Sequence, residues 1–209
     1  MSKAAREIDP VEALREAARG GKGTDVLAQR LIEQAATEGL LDVAYTGLDS
    51  PLGRVLLAAT DRGLVRIGLP NESPDQVLEQ LSREVSPRVL EMPARLDEAR
   101  RELERYFEGR LRDFELPLDW RLSKGFRRKV LRQTYRIPYG QTLSYGQVAA
   151  KAGNPRAYRA AGSALGRNPI PIVVPCHRVL RSGGEIGDYG GGPEMKKALL
   201  ELEGALDST

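Results

Sequence analysis

Apolar positions along this chain follow three successive patterns, and each predicts a different kind of structure. In residues 1–41, Val11, Leu14 and Ala18 share one helical face. Leu27, Leu31 and Ala35 share another, with Val26 and Ile32 beside them. Two short helices are expected there, broken by Gly20-Gly21-Lys22-Gly23, with Thr24 as an N-cap. Residues 42–70 lose the helical period. Arg54–Ala59 and Leu64–Leu69 are short runs rich in Val, Ile and Leu, bounded by the turn signals Ser50-Pro51-Leu52-Gly53 and Thr60-Asp61-Arg62-Gly63. They predict an antiparallel sheet, with Gly63 at positive φ in a tight hairpin. Helices are expected near 75–84 and 94–109. Leu96, Ala99, Leu103 and Tyr106-Phe107 give the second its period, and Gly109 ends it. Phe114–Asp119, with Pro117, reads as a link.

From Ser123 the helical period returns. Ser123 is the expected cap of a helix to about Arg136, with Phe126, Val130 and Leu131 inward. After a turn at Pro138-Tyr139-Gly140, Ser144 caps a short helix, Tyr145–Ala152. Asn154 is the expected cap of a second helix, Pro155 to about Leu165, with proline at its first position. Two short helices joined by a Gly-containing turn predict a helix-turn-helix. The fold class is therefore α/β (α+β). A small antiparallel-sheet and helix domain, 42–119, precedes a helical, winged-helix-like domain, 120–209, and a helical extension of unknown role, 1–41, precedes both.

Composition narrows the classes. No apolar run approaches the ~18–20 residues of a membrane span. Met1–Glu7 has no apolar signal core, so a cytoplasmic protein is expected. One Cys and one His exclude an internal disulfide and a four-ligand zinc site. The net charge of +3 is unevenly spread: residues 42–119 carry −5 and residues 120–209 carry +9. Trp120–Gly184 holds 13 Lys and Arg and no Asp or Glu, the electrostatic footprint of a polyanion partner. In the second helix of the pair, Arg156, Arg159 and Ser163 share a face among Ala160, Ala161, Gly162 and Ala164. Few long polar side chains reach out to read base edges, and small residues permit close approach, which suits the minor groove.

The only Cys and the only His are adjacent, in Asn168-Pro169-Ile170-Pro171-Ile172-Val173-Val174-Pro175-Cys176-His177-Arg178-Val179. The β-branched run places Cys176 at the end of a buried extended segment. A thiol needs a base to become a nucleophile near neutral pH, and an imidazole can serve directly or through water. The acids available to orient that imidazole are Asp188, Glu185, Glu201 and Glu203; composition does not choose among them.

Pro175-Cys176-His177-Arg178-Val179 resembles the active-site signature of the O6-alkylguanine-DNA alkyltransferases, the methylated-DNA–protein-cysteine methyltransferases. Gly140–Ala149 resembles the first helix of that family's helix-turn-helix, and Gly153-Asn154-Pro155 to Asn168-Pro169 its recognition helix and Asn hinge. Gly187–Gly192 resembles its substrate loop, and Lys196–Gly204 its closing helix with a glutamate. The resemblance covers about 120–204 and extends over 42–119, where it implies a ribonuclease H-like domain.

The resemblance implies the following roles. Cys176 accepts the alkyl group, His177 is its base through a bound water, and Glu203 orients His177. Asn168 ties the hinge. Tyr145 holds the swung-out phosphate and contacts the flipped base. Arg159 fills the vacated stack, with Arg156, Gly162 and Ser163 along the DNA-facing helix. Tyr189 flanks the base, the Gly190 amide donates toward O6, and the carbonyls near Val174 and Cys176 accept from the guanine amine. No metal or cofactor is implied. The expected partner of a monomeric protein is double-stranded DNA carrying O6-alkylguanine, with no membrane. Gly190 stands where some relatives carry a hydroxyl side chain, and Asp188 adds a negative charge beside the loop. The expected reaction is single-use transfer to Cys176. The alternatives are a non-transferring damage sensor, which would lack the cysteine, a plain helix-turn-helix regulator, and a cysteine hydrolase with turnover.

Overall fold

Residues 41–206 are described by the computed structural model. The helices expected in the N-terminal extension fall before residue 41, outside the described residues. Three strands open the described chain: β1 (Val43–Ser50), β2 (Gly53–Thr60) and β3 (Gly63–Gly68). They pair antiparallel, β1 with β2 and β2 with β3. Gly63 sits at φ 119°, and a Cβ there would fall 2.1 Å from the Pro117 carbonyl oxygen, so only glycine fits this hairpin.

The sheet has a fourth member that the sequence did not announce. Strand β4 (Val89–Glu91) pairs parallel to β1, giving the order β3-β2-β1-β4. It is reached through helix α1 (Pro74–Glu84), the crossover a parallel pair requires. Val43, Ala58 and Val65 of one sheet face pack with Val77 and Leu81 of α1 and with Leu122. A 3-10 turn (Pro93–Leu96) and helix α2 (Asp97–Phe107) pack against β1. The expected helix at 94–109 is therefore shorter and begins as a 3-10 turn.

The segment read as a link is structural. Leu64 N–H donates to the Pro117 carbonyl at 2.8 Å, and Asp119 N–H to the Leu64 carbonyl at 2.9 Å, so this segment covers the free edge of β3. Ile67 of the same strand donates to the Pro169 carbonyl at 2.8 Å, joining the sheet to the segment that leads to Cys176.

Helix α3 (Gly125–Tyr135) follows a 3-10 turn at Trp120–Leu122. Ser123 does not cap it. The residue closes the preceding turn by donating its N–H to the Trp120 carbonyl, its hydroxyl is buried without a partner, and Lys124 takes the cap position. Ser144 does cap α4 (Tyr145–Lys151), in a reciprocal box with Gln147. Helix α5 (Tyr158–Leu165) starts three residues later than expected. Ala157 N–H bonds back to the Asn154 carbonyl in a separate turn, so Pro155 and Arg156 precede the helix. Helices α3, α4 and α5 pack on one another. Strands β5 (Leu143–Ser144) and β6 (Val179–Leu180) pair in parallel beside them, and α6 (Pro193–Leu202) packs on the turn that holds Cys176. No helix among the described residues is long and apolar enough to cross a membrane.

Candidate active site

Cys176 does not end an extended strand. Pro169, Pro171 and Pro175 have no N–H to give a ladder, and the segment coils through successive short turns: Val174 donates to Ile170 at 2.8 Å and Cys176 to Val174 at 2.8 Å. Ile172 is held at φ 74°, the left-handed region that a β-branched residue avoids at a cost of about 1–3 kcal/mol. It is fully buried, so packing supports the strain. Cys176 then opens a single 3-10 turn, Cys176–Arg178.

Asn168 fastens this loop. Its Nδ2 donates to the Val174 carbonyl at 2.8 Å and to Cys176 Sγ at 3.1 Å, while its Oδ1 accepts from Ile170 N–H at 3.1 Å. One amide thus fixes the loop and points a donor at the sulfur. Burial pushes the Cys176 thiol up to about 11, against the Asn168 donor and the positive charge of Lys196, which pull it down. At rest the group is a thiol.

His177 is fully buried behind it. Its Nε2 lies 2.9 Å from Glu203 Oε1, while Nδ1 is buried with no hydrogen-bond partner. Assigning the proton to Nε2, where the carboxylate accepts it, leaves Nδ1 as the basic nitrogen. Burial holds His177 below its usual value, only partly countered by Glu203. Of the four acids open at the sequence level, Glu203 is thus the one bonded to the imidazole. It follows α6 immediately as its C-cap.

Glu203 has further partners that the sequence did not indicate. Arg178 donates to it through Nε at 2.8 Å and Nη2 at 2.9 Å, and Tyr106 of α2 donates its hydroxyl at 2.6 Å. Burial raises the carboxyl, but the hydrogen bonds from His177 and Arg178 outweigh it and hold Glu203 at about 2. Lys196, fully buried, donates to the Val179 carbonyl at 2.6 Å, and burial lowers it to about 8.

Cys176 lines a cavity of about 470 Å³, together with Asn168, Tyr189, Gly190, Arg66 and Glu72. Arg66 and Glu72 form an ion pair, and Asn71 donates to the Gly190 carbonyl at 2.8 Å, so the sheet domain supplies part of the wall and steadies the 187–192 loop. Tyr189 directs a buried hydroxyl with no partner, and its ring stands edge-on to His177 at 6.4 Å. Val174 and Tyr145 lie outside the cavity wall. The Val174 carbonyl already accepts from Asn168. Tyr145 packs against the loop: its hydroxyl reaches the Asp188 carbonyl at 3.4 Å, and a Cβ on Gly187 would fall 2.6 Å from that hydroxyl oxygen. Arg156, Arg159 and Ser163 are exposed near and on α5, with Gly162 half-buried; Ser163 Oγ accepts from Arg167 at 2.9 Å.

These groups set a pH dependence of stability. Glu203 and His177 both titrate lower in the folded chain than in the unfolded one, so the unfolded state binds more protons as pH falls. Stability is expected to decline below the ordinary histidine value, and to fall more steeply from the ordinary carboxylate range toward pH 2. For Glu203 the total is on the order of 3 kcal/mol. Urea melts between pH 8 and pH 3 check this, and a flat profile contradicts it.

The chain also matches known sequences and structures. Residues 43–120 match the family described as 6-O-methylguanine DNA methyltransferase, ribonuclease-like domain, and residues 125–205 match its DNA binding domain. A methylated-DNA–protein-cysteine methyltransferase of Mycolicibacterium paratuberculosis is 40% identical over 161 residues, 77% of this chain and 92% of that protein. The protein of that name from Mus musculus is 40% identical over 176 residues, 77% of this chain and 81% of its own. Among solved structures, Mycobacterium tuberculosis OGT in complex with DNA is similar at a TM-score of 0.67 with 36% identity, covering 78% of this chain and 93% of that one.

Proposed function

The chain belongs to the 6-O-methylguanine DNA methyltransferase family, and from that premise we propose that Cys176 takes an alkyl group from O6 of a guanine turned out of duplex DNA. The activity is that of a methylated-DNA–protein-cysteine methyltransferase, acting once per molecule. The observation that carries the assignment to Cys176 is its place in the cavity wall, with the His177–Glu203 pair directly behind it.

The reaction follows from these groups. As the sulfur attacks the alkyl carbon, its proton passes through a water to His177 Nδ1. The S–C bond forms, the C–O6 bond breaks, and the electron pair leaves with guanine, which regains a proton. Glu203 keeps its charge throughout, since its low proton affinity leaves the proton on the imidazole. Donors toward O6, with the Gly190 amide as the proposed one, stabilise the leaving base. The thioether has no easy hydrolytic exit, so the protein is consumed. A non-transferring sensor is not favoured, because the cysteine is present and faces the cavity.

The target atom is stacked inside a duplex, so extrusion must precede transfer. The packed helix pair, the small residues of α5 and the acid-free stretch around them support DNA contact at the minor groove. Arg159 is the proposed side chain that enters the vacated stack, and Tyr145 the one that meets the displaced phosphate. The chain comprises an α+β domain, 42–119, and a DNA-binding transfer domain, 120–209. Acceptor, base and helix pair all come from one chain, which supports action as a monomer, and an unpaired nucleophilic cysteine suits the reducing cytoplasm.

Stoichiometry tests the reading: with excess O6-methylguanine duplex, repaired guanine should stop at one per protein chain. Continued turnover would overturn it. Arg159→Ala should lower the transfer rate on duplex more than it lowers DNA affinity; equal losses in single-turnover rate and in binding anisotropy would count against an inserted arginine.

A further inference from the structure

Tyr158 takes no part in the network around Cys176. It opens α5 and is 49% exposed, the one large hydrophobic side chain among the described residues with that exposure. Its ring lies 5.5 Å from the Arg159 guanidinium, over which the positive charge meets the aromatic face.

Its place on the helix is specific. Ala161, Ala164 and Leu165 point into the protein, while Arg159 and Ser163 project to the open side. Tyr158 and Gly162, four residues apart, form the flank between those two faces. That flank is the one toward the cavity loop: a Cβ on Gly162 would stand 3.7 Å from the Tyr145 ring, and Tyr145 contacts the loop bearing Tyr189 and Gly190. Around Tyr158 lie Arg156 and Arg159, in a stretch without a single acid.

We propose that Tyr158 is a DNA-contacting residue, whose ring stacks on a nucleobase bordering the gap left by the extruded nucleotide. This rests on the base-extruding reading above. An aromatic face stacks on any of the four bases, so the contact adds affinity for the opened duplex without asking for a sequence. The same ring holds the Arg159 guanidinium extended before DNA arrives, which reduces the conformational freedom lost when the arginine enters the stack. Tyr158 thus does two things at once: it braces the inserted cation and covers the apolar base face that extrusion exposes.

The test compares two substrates for the full chain, an O6-methylguanine duplex and the free nucleobase O6-benzylguanine, which needs no extrusion. The readout is the ratio of single-turnover transfer rates, duplex over free base. Tyr158→Ala should lower that ratio about tenfold, and Tyr158→Phe should keep it within about twofold of the parent. An unaltered ratio for Tyr158→Ala overturns the proposal. So does a Tyr158→Phe ratio as low as that of alanine, since the contact would then run through the hydroxyl and not the ring. If the parent chain transfers from the free base but not from the duplex, the extrusion reading itself fails, and the role of Tyr158 with it.

Discussion

Replacing Cys176 by alanine should abolish alkyl transfer while leaving binding to lesion-bearing DNA in place. The chain has no second cysteine to take the thiol's place in the cavity wall, so the loss should be complete. The fold should tolerate the change. The thiol's hydrogen-bond partner is Asn168 Nδ2, which retains the Val174 carbonyl as acceptor. A stability change under about 2 kcal/mol is expected. The proposed DNA-facing residues on α5 do not touch the sulfur. Transfer of a labelled methyl group and fluorescence anisotropy on the same lesion duplex separate the two activities. Residual transfer would move the acceptor elsewhere, and loss of both would make Cys176 structural.

The largest stability effect should come from Glu203→Gln. The carboxylate is buried and accepts from His177, from two nitrogens of Arg178 and from Tyr106. An amide of the same shape removes the counter-charge bonded to Arg178, itself 4% exposed, and turns a donor toward existing donors. Breaking a buried pair in this way costs about 3–5 kcal/mol. Tyr106→Phe keeps the charge pair and removes one donor, so it should cost closer to 1 kcal/mol. Glu203→Gln should also slow transfer by about 100-fold or more, because His177 loses the acceptor that keeps its proton on Nε2. Urea melts and single-turnover rates on the two variants check both parts. Equal stability losses would show that the tyrosine hydroxyl, and not the charge, holds the network.

The arrangement explains why some of this site could be read from the chain and some could not. Cys176 and His177 stand out as the only residues of their kinds, while Asn168 and the choice of Glu203 come through a resemblance in local motifs. The geometry then supplied the physical link that spacing alone left open, by placing Glu203 and no other acid on the imidazole. The cap at Ser144 was legible because capping is a contact between neighbours in sequence. Tyr106 was not. Its helical period marked it as core, which it is, but its hydroxyl finds a partner 97 residues away, and no local pattern carries that information. Arg178 and Lys196 look like surface charges by composition, yet both are buried against acceptors brought in by the fold.

The errors have local causes as well. Ile172-Val173-Val174 has strand composition, but prolines on both sides remove the donors a strand needs, and Ile172 turns left-handed. Asn154-Pro155 has the composition of a helix start, but its N–H and C=O groups close a turn first, so α5 begins at Tyr158. Strand β4 is only three residues long and half-exposed, too short for a period to register, and pairs with β1 once α1 has carried the chain across the sheet.

The central claim, that Cys176 itself receives the alkyl group, is tested most directly by intact-protein mass after mixing the full chain with duplex DNA bearing one O6-methylguanine. The account predicts a gain of one methylene, about 14 Da, located on Cys176 by peptide mapping and never exceeding one per chain. An unchanged mass in protein that binds the lesion tightly, or a gain on any other residue, would contradict it.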